Sequence, residues 1–432
     1  MFFLYAIPIT LALDIQHETY RLDNGLSVIL IEDHSIPQVV VDTWYHVGSY
    51  DDPVGASGFA HLFEHLMFMG TKRIPQGEFD GRMEEFGGWN NATTGADYTN
   101  YYDVAPSELL DLLLFMEADR MVGLDITQKK LDLQRDVVRN ERRQNYEDRS
   151  YGSVWLTVPE MMYPGNHPYH LDGIGSHEDL KAATLETVQH FYRDWYMPNN
   201  ATLCVAGDFD PTTIKEKIRF YFGQIPERTL PERIIPPIPI KPQEPSKTIY
   251  DRIQVPAVIM TWHSPPLYEN GDAALDVLAD VLSGGNDARL DKEWINAREE
   301  VQEFSVFQMS SQKSSLFMVQ AYARPGTDLE KLAKELQQEI TAIANGSKPV
   351  SAEELNMIQS EWEMNFYWKL ESNLGRAETL QTYLFHTGDS HYIQKDLNRY
   401  LSLQISDLQR AAATYLREDQ AAILYVLPEE TK

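Results

Sequence analysis

His61-Leu62-Phe63-Glu64-His65 brings two imidazoles and a carboxylate together in one short segment. On a helix, positions i and i+4 share a face, so both imidazoles can reach one metal ion. Glu64 then stands one residue before the second histidine, close enough to take a proton from a water that the ion polarises. Zinc held by three protein ligands, with a fourth position open, supports that chemistry: hydrolysis by an activated water. The order His-x-x-Glu-His is the inverse of the better-known His-Glu-x-x-His. Taken alone, the pattern arises by chance in roughly a few per cent of chains of such composition. A histidine pair on an amphipathic helix is as readily a hydrogen-bonded structural feature. A closed structural zinc site would need a fourth protein ligand, and no obvious one is offered.

The third ligand must come from another helix. The best candidate segment is Gln134-Arg-Asp-Val-Val-Arg-Asn-Glu141, inside a helical pattern over 129–145. Charged helices usually turn their carboxylates to solvent, and spacing does not separate Glu141 from its neighbours. Around these residues, β-rich runs occupy 36–44, 201–206, 255–262 and 315–323. Further helical patterns occupy 108–122, 273–282, 353–369 and 405–416. Strands mixed with long helices predict an α+β fold of sheets covered by helices.

A proline-rich stretch at 226–246 predicts a stiff, extended linker. It divides the chain into domains at 13–225 and 247–432. The halves echo one another: Ile36-Pro-Gln-Val-Val-Val-Asp-Thr-Trp44 is similar to Val255-Pro-Ala-Val-Ile-Met-Thr-Trp262. Each run is followed by a glycine-containing loop and a helical pattern, which makes internal duplication the preferred account.

The formal net charge of -28 argues against a nucleic-acid partner, because phosphates need Lys and Arg to replace their counterions. The lone cysteine, Cys204, sits in an apolar run and reads as a buried, inert thiol. Residues 1–13 are apolar but too short to span a bilayer. They have the character of a secretory signal core, with 1–12 as a signal remnant, although no basic residue precedes Arg21. The other reading is a hydrophobic N-terminal strand. Export to the periplasm or beyond is the preferred location, with the cytoplasm as the alternative. No later segment reads as a membrane span.

Several stretches together resemble one known family. They are Gly55-Ala-Ser-Gly-Phe-Ala-His-Leu-Phe-Glu-His-Leu-Met-Phe-Met-Gly-Thr71, Asn90-Asn-Ala-Thr-Thr-Gly-Ala-Asp-Tyr-Thr-Asn-Tyr-Tyr102, Met116-Glu-Ala-Asp-Arg-Met121, Arg135-Asp-Val-Val-Arg-Asn-Glu141 and Asn200-Ala-Thr-Leu-Cys-Val-Ala-Gly-Asp208. In this order they are similar to the pitrilysin family of inverted-motif zinc metallopeptidases, which includes insulin-degrading enzyme and mitochondrial processing peptidase. The resemblance covers residues 20–225 strongly and thins towards the end.

The resemblance implies one zinc ion per chain, bound by His61, His65 and Glu141, with Glu64 as general base. In many members a second glutamate stands seven residues before the ligand glutamate and supports it; here that position is Gln134. The strand carrying Asn91 and Ala92 corresponds to the edge that binds an extended peptide by main-chain hydrogen bonds. Arg376 and Tyr383 stand at the spacing of an arginine and tyrosine that, in members completing the chamber, bind substrate and stabilise the tetrahedral oxyanion, in which case two copies would complement each other. A solvated arginine beside a core tyrosine is the other reading. A chain of this length is similar to half-size bacterial-type members, each half of a clamshell that encloses peptides. The implied partners are peptide substrates and either a second copy or a related subunit. A non-catalytic structural subunit is the contrasting expectation.

Overall fold

A computed structural model describes residues 13–233, 236–237, 239–285 and 287–429, so residues 1–12 and their reading as a signal remnant lie outside the described residues. Among them are two sheets. The first contains β1 (Glu18–Arg21), β2 (Ser27–Glu32), β3 (Gln38–Tyr45), β4 (Trp89–Thr94), β5 (Thr99–Pro106) and β6 (Ala201–Gly207), in the order β1-β2-β6-β3-β5-β4. The second contains β7 (Ser246–Asp251), β8 (Ala257–Ser264), β9 (Val301–Met309), β10 (Ser315–Ala323) and β11 (Ala422–Pro428), in the order β7-β11-β8-β10-β9.

Each sheet has one parallel pairing, β2 with β6 and β7 with β11; every other pairing is antiparallel. Strand for strand, β2-β6-β3-β5-β4 and β7-β11-β8-β10-β9 have the same order and directions. The sequence echo between the halves therefore has a structural counterpart, and the predicted α+β architecture is the one observed. Between Gly223 and β7 the described residues form neither helix nor strand. The prolines there supply no amide donors for a ladder.

Side-chain alternation assigns the two faces of the first sheet. Val28, Leu30, Val39, Val41, Leu203 and Val205 face Phe59, Leu62, Phe63 and Leu66 of the motif helix, Phe59–Leu66. Their sequence neighbours Ile29, Ile31, Val40, Cys204 and Ala206 face Ala377, Leu380 and Tyr383 of the Asn373–Thr387 helix. Burial pushes the Cys204 thiol well above its ordinary range, so it stays protonated and inert.

That second contact crosses the halves, because the Asn373–Thr387 helix follows the linker. The exchange is mutual. Helix Gly152–Met162 precedes the linker, yet its Val154, Val158, Met161 and Met162 pack with Ala257, Ile259, Leu316 and Leu424 of the second sheet. Each buried Val, Leu, Ile or Met in these contacts contributes about 1.5–3 kcal/mol, so the exchanged helices tie the two halves together.

Candidate metal centre

The motif helix starts at Gly58, whose φ of +86° suits a residue without Cβ. A Cβ there would also stand 2.9 Å from Gly175 Cα. Two glycine backbones thus press together, bringing the segment that contains Asp172, Gly173 and Ile174 against the start of the helix. Gly58 has no side chain to cap that start. Asp52 does so instead: its Oδ2 accepts from the Gly58 N–H at 2.7 Å and its Oδ1 from the Ala60 N–H at 2.9 Å.

His61 and His65 project from this helix towards the last turn of the Gln128–Arg142 helix, which packs beside it through Leu131 and Val138. Glu141 Oε2 lies 3.3 Å from His65 Nε2 and 3.7 Å from His61 Nε2. The two rings stand nearly perpendicular, at 88°, with centroids 4.9 Å apart. One donor atom from each residue falls within 4.8 Å of the others. Burial, then the neighbouring His65, holds the His61 imidazole below its ordinary range. A hydrogen bond with His65 is the largest cause holding the Glu141 carboxyl below its own. A neutral imidazole and an ionised carboxylate are the forms that can ligate a metal.

Glu64 Oε2 accepts from Thr94 Oγ1 at 2.5 Å, so the end of β4 holds the carboxylate of the motif. β4 is the outer strand of the first sheet, with β5 as its strand neighbour. Ala92, Thr93 and Thr94 line a cleft of about 460 Å³ together with His61, Glu64 and Glu141. Its far residues include Met309, Ser311, Ser314 and Leu316 from the second half. Asn91 is exposed and its Oδ1 accepts from the Ala92 N–H at 2.9 Å.

The remaining expected residues fall elsewhere. Gln134 donates to Met69 Sδ at 2.7 Å rather than contacting Glu141. Beyond the histidines, Glu141 receives a long hydrogen bond from Asn145 Nδ2, at 3.5 Å. Arg376 and Tyr383 lie on the helix that covers the opposite face of the sheet from His61 and His65. Arg376 pairs with Asp33 at 2.5 Å, while Tyr383 is 2% exposed and donates to Asp396 at 3.0 Å. Both side chains are engaged away from this chain's own cleft, in the arrangement expected of a paired arginine and a core tyrosine.

Spacing in the sequence does not mark Thr94, Tyr146 or Asp172, which also line the cleft. Thr94 lies within the stretch 90–102, but only the fold brings its hydroxyl to Glu64. Tyr146 follows from a departure in the helix expected over 129–145: after Arg142 the chain continues as π-helical turns, Arg143–Glu147. Such turns re-aim side chains and often accompany functional sites. Tyr146 lines the cleft and its hydroxyl bonds to Asp172, whose carboxyl is pushed up by burial.

Among the described residues one other group could hold a metal: Asp14, His17 and His391. There His17 already spends Nδ1 on the Ile15 carbonyl at 2.6 Å and Nε2 on Ser390 Oγ at 2.8 Å. Among the described residues the second half offers no copy of the main cluster. Its Asp272–Ser283 helix also begins after a left-handed glycine, Gly271 at φ +99°. Aligning the two glycines puts Ala274, Val277 and Leu278 where His61, Glu64 and His65 stand.

Residues 27–167 match the family model "Insulinase (Peptidase family M16)", and residues 182–361 match "Peptidase M16 inactive domain". The second name agrees with the loss of donors from the second half. Zinc protease PqqE of Helicobacter pylori is 29% identical over 419 residues, covering 96% of this chain and 93% of that protein. Human insulin-degrading enzyme is 24% identical over 250 residues, which are 56% of this chain and 24% of the enzyme. A solved protease structure from Helicobacter pylori superposes at a TM-score of 0.87 with 28% identity, covering 96% of this chain and 100% of that one. The periplasmic protease PqqL from Escherichia coli shares the fold at a TM-score of 0.77 and 19% identity; the match covers 97% of this chain and 48% of PqqL. With both M16 models matched in order along most of its length, the chain belongs to the insulinase family, peptidase family M16, and has the fold of a half-size member.

Proposed function

We propose that the chain is a zinc metalloendopeptidase acting on peptides or unfolded segments, with His61, His65 and Glu141 as metal ligands and Glu64 as general base. The observation that carries this reading is the grouping of three donors within 4.8 Å beside a cleft edged by β4. Two imidazoles and a carboxylate suit zinc, and three protein donors leave a position open for water or substrate. When bound, zinc would supply the Lewis acidity that brings a water's pKa near neutrality.

Glu64, steadied by Thr94, takes the proton of the attacking water and can return it to the leaving amine. An extended peptide adds to the free edge of β4 by main-chain hydrogen bonds, with Asn91 and Ala92 beside the scissile bond. To pair there, it displaces the Asn91 carboxamide from the Ala92 amide.

A second reading has an observation of its own. Arg376 and Tyr383 are engaged on the opposite face of the sheet, so the chain's own cleft lacks that donor pair. The missing donors then come from another subunit, a second copy or a different partner, facing this one across a chamber. PqqL, of which this chain spans 48%, has length for two such units in one chain. Export to the periplasm remains part of this reading and rests on the apolar start of the sequence.

The test is zinc content and peptide cleavage by the purified chain, with Glu64→Gln in parallel. Zinc retention with loss of nearly all cleavage in Glu64→Gln supports the base role. Cleavage that appears only after a second protein is added selects the partner-dependent reading. A zinc-loaded chain inactive in every combination is a structural subunit.

A further inference from the structure

Among its described residues the second half has no such donor set, yet one of its turns walls the cleft. β9 and β10 occupy the sheet positions of β4 and β5, so the turn at 310–314 is the counterpart of the turn at 95–98. The two equivalent turns meet at Asp97. This carboxylate is 9% exposed and accepts from Tyr169 Oη at 2.5 Å and from the Gln312 backbone N–H at 2.7 Å. Tyr169 Oη in turn accepts from the Lys313 N–H at 3.2 Å, and the Tyr163 hydroxyl donates to the Ser314 carbonyl at 3.2 Å. Ser311 and Ser314 line the same cleft as His61 and Glu64.

The first-half turn is also tied to the motif helix. The Ser49 and Tyr50 N–H groups donate to the Gly95 and Ala96 carbonyls at 3.2 and 2.8 Å. Contact is close enough that a Cβ on Gly48 would stand 2.4 Å from the Ala96 carbonyl oxygen. Asp52, just beyond, caps the helix that carries His61, Glu64 and His65. Immediately before the turn, Thr94 holds Glu64. The peptide-binding edge, the base and the second-half wall all connect through this turn.

We propose that Asp97 is a positioning residue: through Tyr169 and the Gln312 amide it fixes the second-half turn against the end of β4 and sets the gap in which a peptide lies. The inference rests on the peptidase reading and gives the donor-less half a part in substrate binding. A carboxylate that takes one donor on each oxygen is a charge-assisted bridge. Asn offers one such oxygen and turns an N–H group towards a donor, so Asp97→Asn must break one link.

The experiment compares Asp97→Asn and Tyr169→Phe with the parent, zinc-loaded and full length. It uses a labelled unstructured peptide of about twelve residues, long enough when extended to leave the cleft at both ends. Each variant is expected to raise KM about tenfold, keep kcat within about twofold, retain the parent's zinc, and melt within a few degrees of the parent, far above the assay temperature. Hydrogen exchange at the Gln312 and Lys313 amides is expected to quicken. An unchanged KM, a loss confined to kcat, or a loss that follows the melting temperature overturns the proposal. If the parent binds zinc but cleaves nothing, alone or with a partner subunit, the peptidase reading fails by itself. Binding of the same peptide to zinc-loaded chains carrying Glu64→Gln then decides: weaker binding with Asp97→Asn supports the positioning role, and equal binding overturns it. A parent that neither cleaves nor binds the peptide overturns both.

Discussion

Replacing Thr94 with valine removes one hydroxyl and keeps the β-branched shape that suits strand β4. That hydroxyl donates to Glu64 Oε2 at 2.5 Å. Thr94 is half-buried at the cleft, so no backbone partner or core contact is lost with it. A hydrogen bond to a charged group is worth about 1.5–3 kcal/mol. If the bond steadies Glu64 as the reaction proceeds, its loss raises the barrier by a similar amount, a fall in kcat/KM of roughly 10- to 100-fold. The assay is steady-state cleavage of a quenched fluorescent peptide, with zinc measured on the same preparations. Zinc content is expected to match the parent, because the hydrogen bond that is lost runs to Glu64 and not to His61, His65 or Glu141. Cleavage within about twofold of the parent would refute the reasoning, since the bond would then contribute nothing beyond its ground-state geometry.

Gly58→Ala forces a left-handed backbone on a residue with Cβ, at a cost of about 1–2 kcal/mol, and crowds Gly175. The melting temperature is expected to drop by several degrees in a thermal scan; an unchanged melt would mean that the two backbones part freely. A different test addresses pH. The Arg289 guanidinium, which meets both oxygens of Glu354 at 2.7 and 2.8 Å, draws that carboxyl down to about 2 from an ordinary 4.5. A depressed carboxylate stabilises the fold above its unfolded pKa, and that contribution disappears as pH falls from 4.5 towards 2. After allowance for partial solvent screening, Glu354→Gln should cost about 1–2 kcal/mol near neutrality. It should also flatten the melting temperature across that acid window, and parallel curves for parent and variant would contradict the pairing.

Local pattern was enough for the motif helix, because i and i+4 spacing determines which side chains share a face whatever lies opposite. It was enough for the paired strand runs too, and the similarity of 36–44 to 255–262 reappears as β3 and β8 in equivalent sheet positions. Glu141 was different: its helix was legible, but choosing it over neighbouring carboxylates needed the family resemblance, and the fold brings it to the histidines. Arg376 and Tyr383 show the limit of spacing. Seven residues is close to two turns, yet nothing in that interval says which sheet the helix will cover. The exchange of the Gly152–Met162 and Asn373–Thr387 helices between halves is a long-range choice of partner with no local signature. Thr94 and Asp97 stayed hidden for the same reason, as their partners lie 30 and 215 residues away. The π-helical turns that carry Tyr146 break the period by which a helix is read.

The most direct measurement of the central claim is made on one zinc-loaded preparation each of the parent and Glu64→Gln. Bound zinc is measured by elemental analysis and peptide cleavage by mass spectrometry, before and after chelation. The account predicts about one zinc per chain in both, cleavage by the parent alone or with its partner subunit, and loss of that cleavage on chelation. Glu64→Gln should retain the metal and lose nearly all turnover. Full cleavage by Glu64→Gln, or parent cleavage that survives complete removal of zinc, would contradict it.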